Sequence, residues 1–222
     1  MSRTIVIGDI HGCLDALNSI VNAFSPTSSD TIITVGDYVD RGPNSKGVLD
    51  RLLELETTCN LIALKGNHEE MMMEVLEGRV QPYSWLNYGG VETMESYGFV
   101  GDLGCVPKAH RDFISRMPLY HETDSHFIVH ANYAPDLALE DQPIEMLLWA
   151  KISSQLPGPH FSGKRAVVGH THDREGRVFE VPHLICIDTY CYGGRWLTGY
   201  ELESRNLWQS DPMGKLIRRP DQ

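Results

Sequence analysis

The sequence predicts an α/β fold in which a parallel sheet is covered by helices and a second sheet packs on the first. Three observations carry that expectation. The first 65 residues read strand, helix, strand, helix, strand; a helical stretch without strand alternation follows; and short β-rich segments separated by Gly or Pro return from Phe127 onward. Parallel neighbours need crossover connections, and helices are what such connections supply.

Taken in order, residues 3–7 are an apolar, β-branched run suited to a buried strand. Residues 15–24 place Ala16, Leu17, Ile20, Val21 and Phe24 at helical spacing. Residues 31–35 form a second β-branched run, residues 48–55 are helical behind an Asn44/Ser45 cap, and residues 60–64 are the third apolar run. Between residues 69 and 117, helical stretches punctuated by Gly89-Gly90 and Gly98 predict a helical insertion, whose Met71, Met72 and Met73 are expected to fill core. Residues 127–129, 166–168, 177–181 and 184–187 supply the second sheet, and Gly193-Gly194 ahead of Trp196 reads as a hairpin turn. Residues 155–163 (QLPGPHFSG) are the candidate for a mobile, lid-like loop.

A chain of 222 residues with 41% hydrophobic and 22% charged residues can bury one sizeable core, so residues 1–222 are expected to form a single domain. The net charge of −11 opposes nucleic-acid binding, which draws on surplus Lys and Arg. It would repel a phosphate ester too, unless cations reverse the field locally, as bound metal would. No apolar run approaches the roughly 20 residues of a membrane span, and the N-terminal run is too short for a secretory signal. A cytoplasmic protein with no membrane partner is therefore expected. Five cysteines without a CxxC pair point to reduced thiols rather than a disulfide framework or a zinc knuckle.

Five polar clusters stand immediately after apolar runs: Gly8-Asp9-Ile10-His11-Gly12, Gly36-Asp37-Tyr38-Val39-Asp40-Arg41-Gly42, Gly66-Asn67-His68-Glu69, His130, and Gly169-His170-Thr171-His172. Parallel α/β sheets bind ligands off the carboxyl ends of their strands, so the five are expected to converge on one crevice. Asp, Asn and His together are borderline oxygen and nitrogen donors, suited to Mn, Fe or Zn rather than Ca. Asp9 and His11, two residues apart, would lie on one side of an extended segment and hold one ion together. Each cluster alone would pass for a turn with a capping Asp or a surface His; five behind strands argue for a metal centre.

GDIHG, GDYVDRG, GNHE, His130-Ala131 and GHTH, in this order, resemble the signature series of the calcineurin-like metallophosphoesterases, most nearly their phosphoprotein phosphatase branch with its small bacterial and phage serine/threonine phosphatases. Trp85-Leu86-Asn87-Tyr88-Gly89-Gly90 and Leu147-Leu148-Trp149 also resemble the bacterial members, so the likeness runs through nearly the whole chain. The resemblance implies a four-layer α/β/β/α sandwich with two divalent metal ions, Mn foremost and Fe or Zn as alternatives. It implies that Asp9 and His11 bind the first ion, that Asp37 bridges both, and that Asn67, His130 and His170 bind the second. It further implies direct attack by a metal-bridging hydroxide with no phosphoenzyme, while His68, oriented and kept protonated by Asp40, is the general acid. Arg41 would hold the phosphate in a bidentate fork.

Three positions depart from the bacterial pattern. Trp149-Ala150-Lys151 stands where those proteins often have Trp-x-Arg, so a second phosphate clamp would be a Lys point charge or absent. Asn132 follows His130-Ala131 in place of the usual Gly. His172 stands where they usually have Pro, although the wider superfamily uses the second His of GHxH as a first-metal ligand; coordination and a place on the site rim are both open for it.

The expected activity is that of a metal-dependent phosphatase on phosphomonoesters, foremost phosphoserine and phosphothreonine in proteins, with small phosphoesters as further substrates and a monomer as the favoured state. Symmetrical dinucleoside tetraphosphate hydrolysis is the alternative. Asp40 favours the phosphatase, because those hydrolases commonly read GDLVARG, with Ala in its place. A non-catalytic scaffold would be expected to have lost ligands or the general acid, and none is missing. Substrate specificity is expected to reside in the helical insertion.

Overall fold

The computed structural model describes residues 2–218. β1 (Thr4–Ile7), β2 (Thr31–Thr34) and β3 (Asn60–Ala63) run parallel, joined by α1 (Leu14–Phe24) and α2 (Ser45–Leu55). α1 buries the five apolar residues whose spacing marks it and ends where Ser25, at φ 46°, returns its amide to the Val21 carbonyl. α2 starts at Asn44, whose side chain accepts the Gly47 amide at 2.9 Å.

The insertion then runs through α3 (Asn67–Leu76), α4 (Tyr83–Trp85), a wide helical turn (Leu86–Gly90), α5 (Val91–Ser96) and α6 (Lys108–Ser115). β4 (Tyr120–Glu122), β5 (His126–Val129), α7 (Ile144–Trp149), β6 (Arg165–Val168), β7 (Phe179–Val181) and β8 (Leu184–Cys186) follow, and β9 (Leu197–Glu201), β10 (Leu207–Ser210) and β11 (Leu216–Arg218) close the chain. The strands form a six-stranded sheet, β11-β10-β9-β1-β2-β3, and a five-stranded one, β4-β5-β6-β8-β7, in which β5, β6 and β8 are parallel.

Period-two alternation explains how the sheets stack. Val6 and Ile33 of the first sheet meet Ile128, Val167 and Ile185 of the second in one core. Ile5, Ile7 and Ile32 point the other way, onto Leu17, Ile20, Leu49 and Leu52 of α1 and α2. Phe127, Val129, Ala166 and Val168 cover the far side of the second sheet, beneath Leu147 of α7. The layers are therefore helices, sheet, sheet and helix. Each fully buried Ile, Leu or Phe contributes on the order of 1.5–3 kcal/mol, and the central layer is completed only when both sheets are present.

Met71, Met72 and Met73 are buried in the core, as expected, and all five cysteines are free. Two expectations fail. Gly193-Gly194 does not turn a hairpin: β8 and β9 belong to different sheets, so this segment carries the chain from one to the other. Residues 155–163 are not a free lid. Gln155 O accepts from Asn132, Gly158 O from Tyr133, Pro157 O bonds His183, and His160 is buried against Phe127, so backbone polar groups of the loop are satisfied by the body of the protein. No helix of the described residues is long and apolar enough to cross a membrane.

Candidate metal centre

The loops after β1, β2, β3, β5, β6 and β8 meet at one place, as parallel topology requires of strand carboxyl ends. Tight turns put the side chains there. Of eight described non-glycine residues with positive φ, six belong to these loops: His11, Asp37, Asp40, Arg41, His170 and Tyr190. Each costs on the order of 1 kcal/mol or more, strain that surrounding structure must hold in place. Much of that support comes from Glu69, whose carboxylate accepts the amides of Asp37 (2.8 Å), Tyr38 (2.7 Å), Val39 (3.2 Å) and Gly66 (3.0 Å). Burial, aided by the charge of Asp37, pushes Glu69 up to about 7.

Among the described residues two groups of donor atoms form, each within 4.8 Å: His11, Asp37 and His68, and Asp37, His130 and His170. Asp37 is common to both, with His11 Nε2 3.3 Å from Oδ2 and His130 Nε2 3.4 Å from Oδ1. Asn67 Oδ1 joins the second group, 3.0 Å from His130 Nε2 and 3.1 Å from His170 Nδ1.

The four histidines divide into two kinds. In three, the outer nitrogen faces a backbone carbonyl: His11 Nδ1 and Val39 O at 2.8 Å, His130 Nδ1 and Val35 O at 3.0 Å, His170 Nε2 and Trp149 O at 3.1 Å. A proton held there leaves the inner nitrogen with its lone pair turned toward Asp37 or Asn67, the tautomer a metal ligand needs. Burial lowers His11 to about 4 and His170 to about 3 and lowers His130, so all three are neutral imidazoles. His130 Nε2, His170 Nδ1 and Asn67 Oδ1 then face one another as acceptors, a convergence that a cation satisfies.

His68 is the exception. Its Nδ1 faces the Asp40 carboxylate at 2.6 Å, and although burial by itself would lower its pKa, Asp37 and then Asp40 raise it. His68 thus differs from the other three: its Nδ1 is backed by a carboxylate rather than a carbonyl, and its Nε2 lies 3.9 Å from Asp37. Asp40 is fully buried and held by Trp85 Nε1–H (2.9 and 3.0 Å) and Thr93 Oγ1–H (2.7 Å). Burial raises the Asp40 carboxyl, partly offset by His68, Thr93 and Trp85. Burial pushes Asp37 up, and the imidazoles around it, of which His68 is the one whose own pKa is raised, bring it well below the usual carboxylate range.

Asp9 departs from the expected geometry. The strand stops at Ile7 and His11 sits in a turn at φ 42°, so alternation no longer governs the pair. The Asp9 carboxylate instead accepts the His170 amide at 3.0 and 3.2 Å and stands outside both donor groups. Burial and Asp188 raise it well above the carboxylate range, and burial raises Asp188 to about 7. Asp9, Asp37 and Asp188 are thus three buried carboxyls in one electrostatic neighbourhood, a surplus of negative charge that divalent cations would relieve.

Arg41 reaches in from the rim, donating Nη1–H to His11 Nε2 at 2.9 Å with its guanidinium carbon 4.6 Å above the Tyr192 ring. Its remaining donors suit phosphoryl oxygens. His172 stacks on Tyr190 (4.3 Å between ring centroids, 17° apart) and belongs to neither donor group. Lys151 is exposed, and its charge reaches His170 and His172.

Asp188, Glu69, Trp85, Thr93 and Tyr192 are working parts of the site beyond the residues expected from the sequence. Asp188 carried the same signal as the others, a carboxylate directly after the apolar run 184–187. The rest act through contacts between distant segments and have no local signature.

A model of the calcineurin-like phosphoesterase family matches residues 2–180. The chain is 40% identical over 87 residues to serine/threonine-protein phosphatase 1 of Salmonella typhimurium, 38% of each chain. It is 28% identical over 180 residues to a symmetrical bis(5'-nucleosyl)-tetraphosphatase of Nitrosomonas europaea, 77% of this chain and 60% of that one. The match spans less than two thirds of either relative. A solved structure provisionally assigned as a diadenosine tetraphosphatase shares the fold, with a TM-score of 0.71 at 22% identity over 93% of this chain and 92% of the other.

Proposed function

The chain belongs to the calcineurin-like phosphoesterases, and on that footing we propose that it is a cytoplasmic phosphatase of phosphomonoesters, foremost phosphoserine and phosphothreonine in proteins. The observation that carries the chemistry is geometric: His11, His130 and His170 each turn one ring nitrogen to a backbone carbonyl and the other toward Asp37 or Asn67, whereas His68 Nδ1 faces the Asp40 carboxylate.

The family uses divalent metals, and the donors fit them. Two divalent ions, manganese foremost, would activate the attacking water and neutralise the phosphoryl oxygens. Asp37 and His11 would hold the first, with Asp9 adding its charge; Asp37, Asn67, His130 and His170 would hold the second. His68 carries a proton on the ring whose other nitrogen Asp40 engages, and gives it to the departing alkoxide, which is too basic to leave as an anion. With His11 Nε2 given to the metal, Arg41 would turn the guanidinium that otherwise donates to that nitrogen at 2.9 Å onto the phosphoryl group.

Likeness to a serine/threonine phosphatase and the presence of Asp40 support the protein substrate. A second reading, dinucleoside tetraphosphate hydrolysis, draws on the Nitrosomonas relative. Turnover of manganese-loaded protein on a phosphothreonine peptide and on diadenosine tetraphosphate, side by side, separates them: a clear preference for the peptide is expected, and a preference for the dinucleotide would overturn the first reading.

A further inference from the structure

Beside the centre lies an open cavity of about 580 Å³ lined by Arg41, Leu86, Asn87, Tyr88, Gly89, Val91, Glu92 and Tyr192. We propose that this cavity is the subsite for the residue flanking the phosphorylated one, and that it takes a basic side chain, lysine or arginine. The inference rests on the phosphoprotein reading above and adds the substrate class that this chain selects.

Position comes first. Arg41 belongs to both places, its guanidinium on His11 at 2.9 Å and over the Tyr192 ring at 4.6 Å while it forms part of the cavity wall. A phosphoryl group held by Arg41 therefore places its neighbouring residue against this wall.

The wall's chemistry is that of a cation site. Among the described residues lining it, Glu92 is the one carboxylate, and it stands with two tyrosines, Tyr88 exposed and Tyr192 half-buried. Tyr192 carries the Arg41 guanidinium on its face, which leaves the exposed ring of Tyr88, beside Glu92 in the lining, for a further cation. Arg41, the one cation among the described residues of the lining, is turned to His11 and Tyr192. The chain's net charge of −11 favours basic partners at longer range. A polyphosphate chain leaving Arg41 in this direction would instead run its negative charge toward Glu92.

The subsite is also built into the catalytic frame. Arg41 N donates to Gly89 O at 3.1 Å, and a Cβ on Gly89, which sits at φ 107°, would come within 2.5 Å of Arg41 N. The turn bearing Asn87 and Tyr88 is thereby fixed to the phosphate-holding loop. Thr93, next to Glu92, hydrogen-bonds Asp40 at 2.7 Å, so one segment both lines the cavity and positions the partner of His68.

The test measures kcat/KM on three phosphothreonine peptides that differ only in the flanking residues, arginine, alanine or glutamate. The arginine peptide is expected to exceed the glutamate peptide roughly tenfold, the combined size of a half-exposed charge pair and a cation–π contact. Glu92→Gln and Tyr88→Ala should each shrink that ratio, whereas Glu95→Gln, on the same helix but outside the cavity, should keep it. Equal rates on all three peptides, or a ratio that survives Glu92→Gln, refutes the subsite while leaving the phosphatase standing. Hydrolysis of 4-nitrophenyl phosphate with no peptide turned over refutes the phosphoprotein reading and the subsite with it.

Discussion

Replacing Asp40 by Asn removes one charge and almost no volume. The carboxylate it replaces is fully buried, faces His68 Nδ1 at 2.6 Å, and receives Trp85 Nε1–H and Thr93 Oγ1–H on the same two oxygens. An amide cannot accept at both ends, so one –NH2 must face either His68 or the Trp85/Thr93 donors. Breaking a buried ion pair on one side costs about 3–5 kcal/mol, and here that loss falls on the imidazolium, whose pKa Asp37 and Asp40 now raise against the effect of burial. Asp40→Asn should therefore lower the His68 pKa and remove general acid catalysis, worth roughly 10²- to 10⁴-fold. The assay compares kcat on a phosphothreonine peptide, whose alkoxide needs a proton to leave, with kcat on 4-nitrophenyl phosphate, whose phenolate does not. The peptide rate should fall by that factor and the aryl rate by less than about tenfold, with metal content unchanged. An equal fall on both substrates would mean that Asp40 shapes the site rather than maintaining the proton, and the role given to His68 would have to be abandoned.

Metal analysis of two variants separates ligand from acid: His68→Ala should retain its metal while turnover falls roughly 10²- to 10⁴-fold, whereas Asp37→Ala, common to both donor groups, should lose both ions; equal metal loss would make His68 a ligand. Asp30 accepts from Arg3 N, Nε and Nη2 and from Thr27 N and Oγ1, which hold its carboxyl well below the usual range despite burial. Because the folded pKa is depressed, this contribution is fully present above the unfolded value near 4 and is lost as pH falls below it. Asp30 is covered by its partners rather than by deep core, and Arg3 is about one-third exposed, so Asp30→Asn should cost about 1–2 kcal/mol at pH 7. Urea midpoints should show that difference shrinking below pH 4; a constant difference would contradict the assignment. Gly89→Ala, which puts a methyl at φ 107° against the Arg41 amide, should lower stability by on the order of 1–3 kcal/mol and reduce turnover by displacing Arg41. An unchanged melting temperature would argue against the coupling of the two loops.

The parallel order of β1, β2 and β3 was legible because an apolar run followed by a helical period admits few other arrangements. Four strands of the second sheet were legible and β4 was not, nor was which strand neighbours which: the chain leaves β8 for a strand of the other sheet, and Gly193-Gly194 looks like a hairpin when only local spacing is read. The ends of the strands that were read fell within one or two residues, because the hydrogen-bonded ladder and the apolar run do not stop at the same residue: β2 and β3 end before their runs do, while β5 and β6 begin one residue earlier, at His126 and Arg165.

By itself the sequence determined that the five polar clusters come to the centre. Polar clusters after buried strands must emerge at the strand carboxyl ends, and this ordering holds whatever the detailed turns. Only tertiary structure decided what each residue does on arrival. Trp85 and Thr93 meet Asp40 across 45 and 53 residues, and the His170 amide meets Asp9 across 161, distances over which no spacing rule operates. Which imidazole nitrogen faces inward depends on which backbone carbonyl lies behind the ring, a fact of packing between loops in left-handed turns rather than of composition. That is why the polar clusters were readable in one dimension, while the division into three rings backed by carbonyls and one backed by a carboxylate, and the turning of Asp9 toward the His170 amide, belonged to the folded chain.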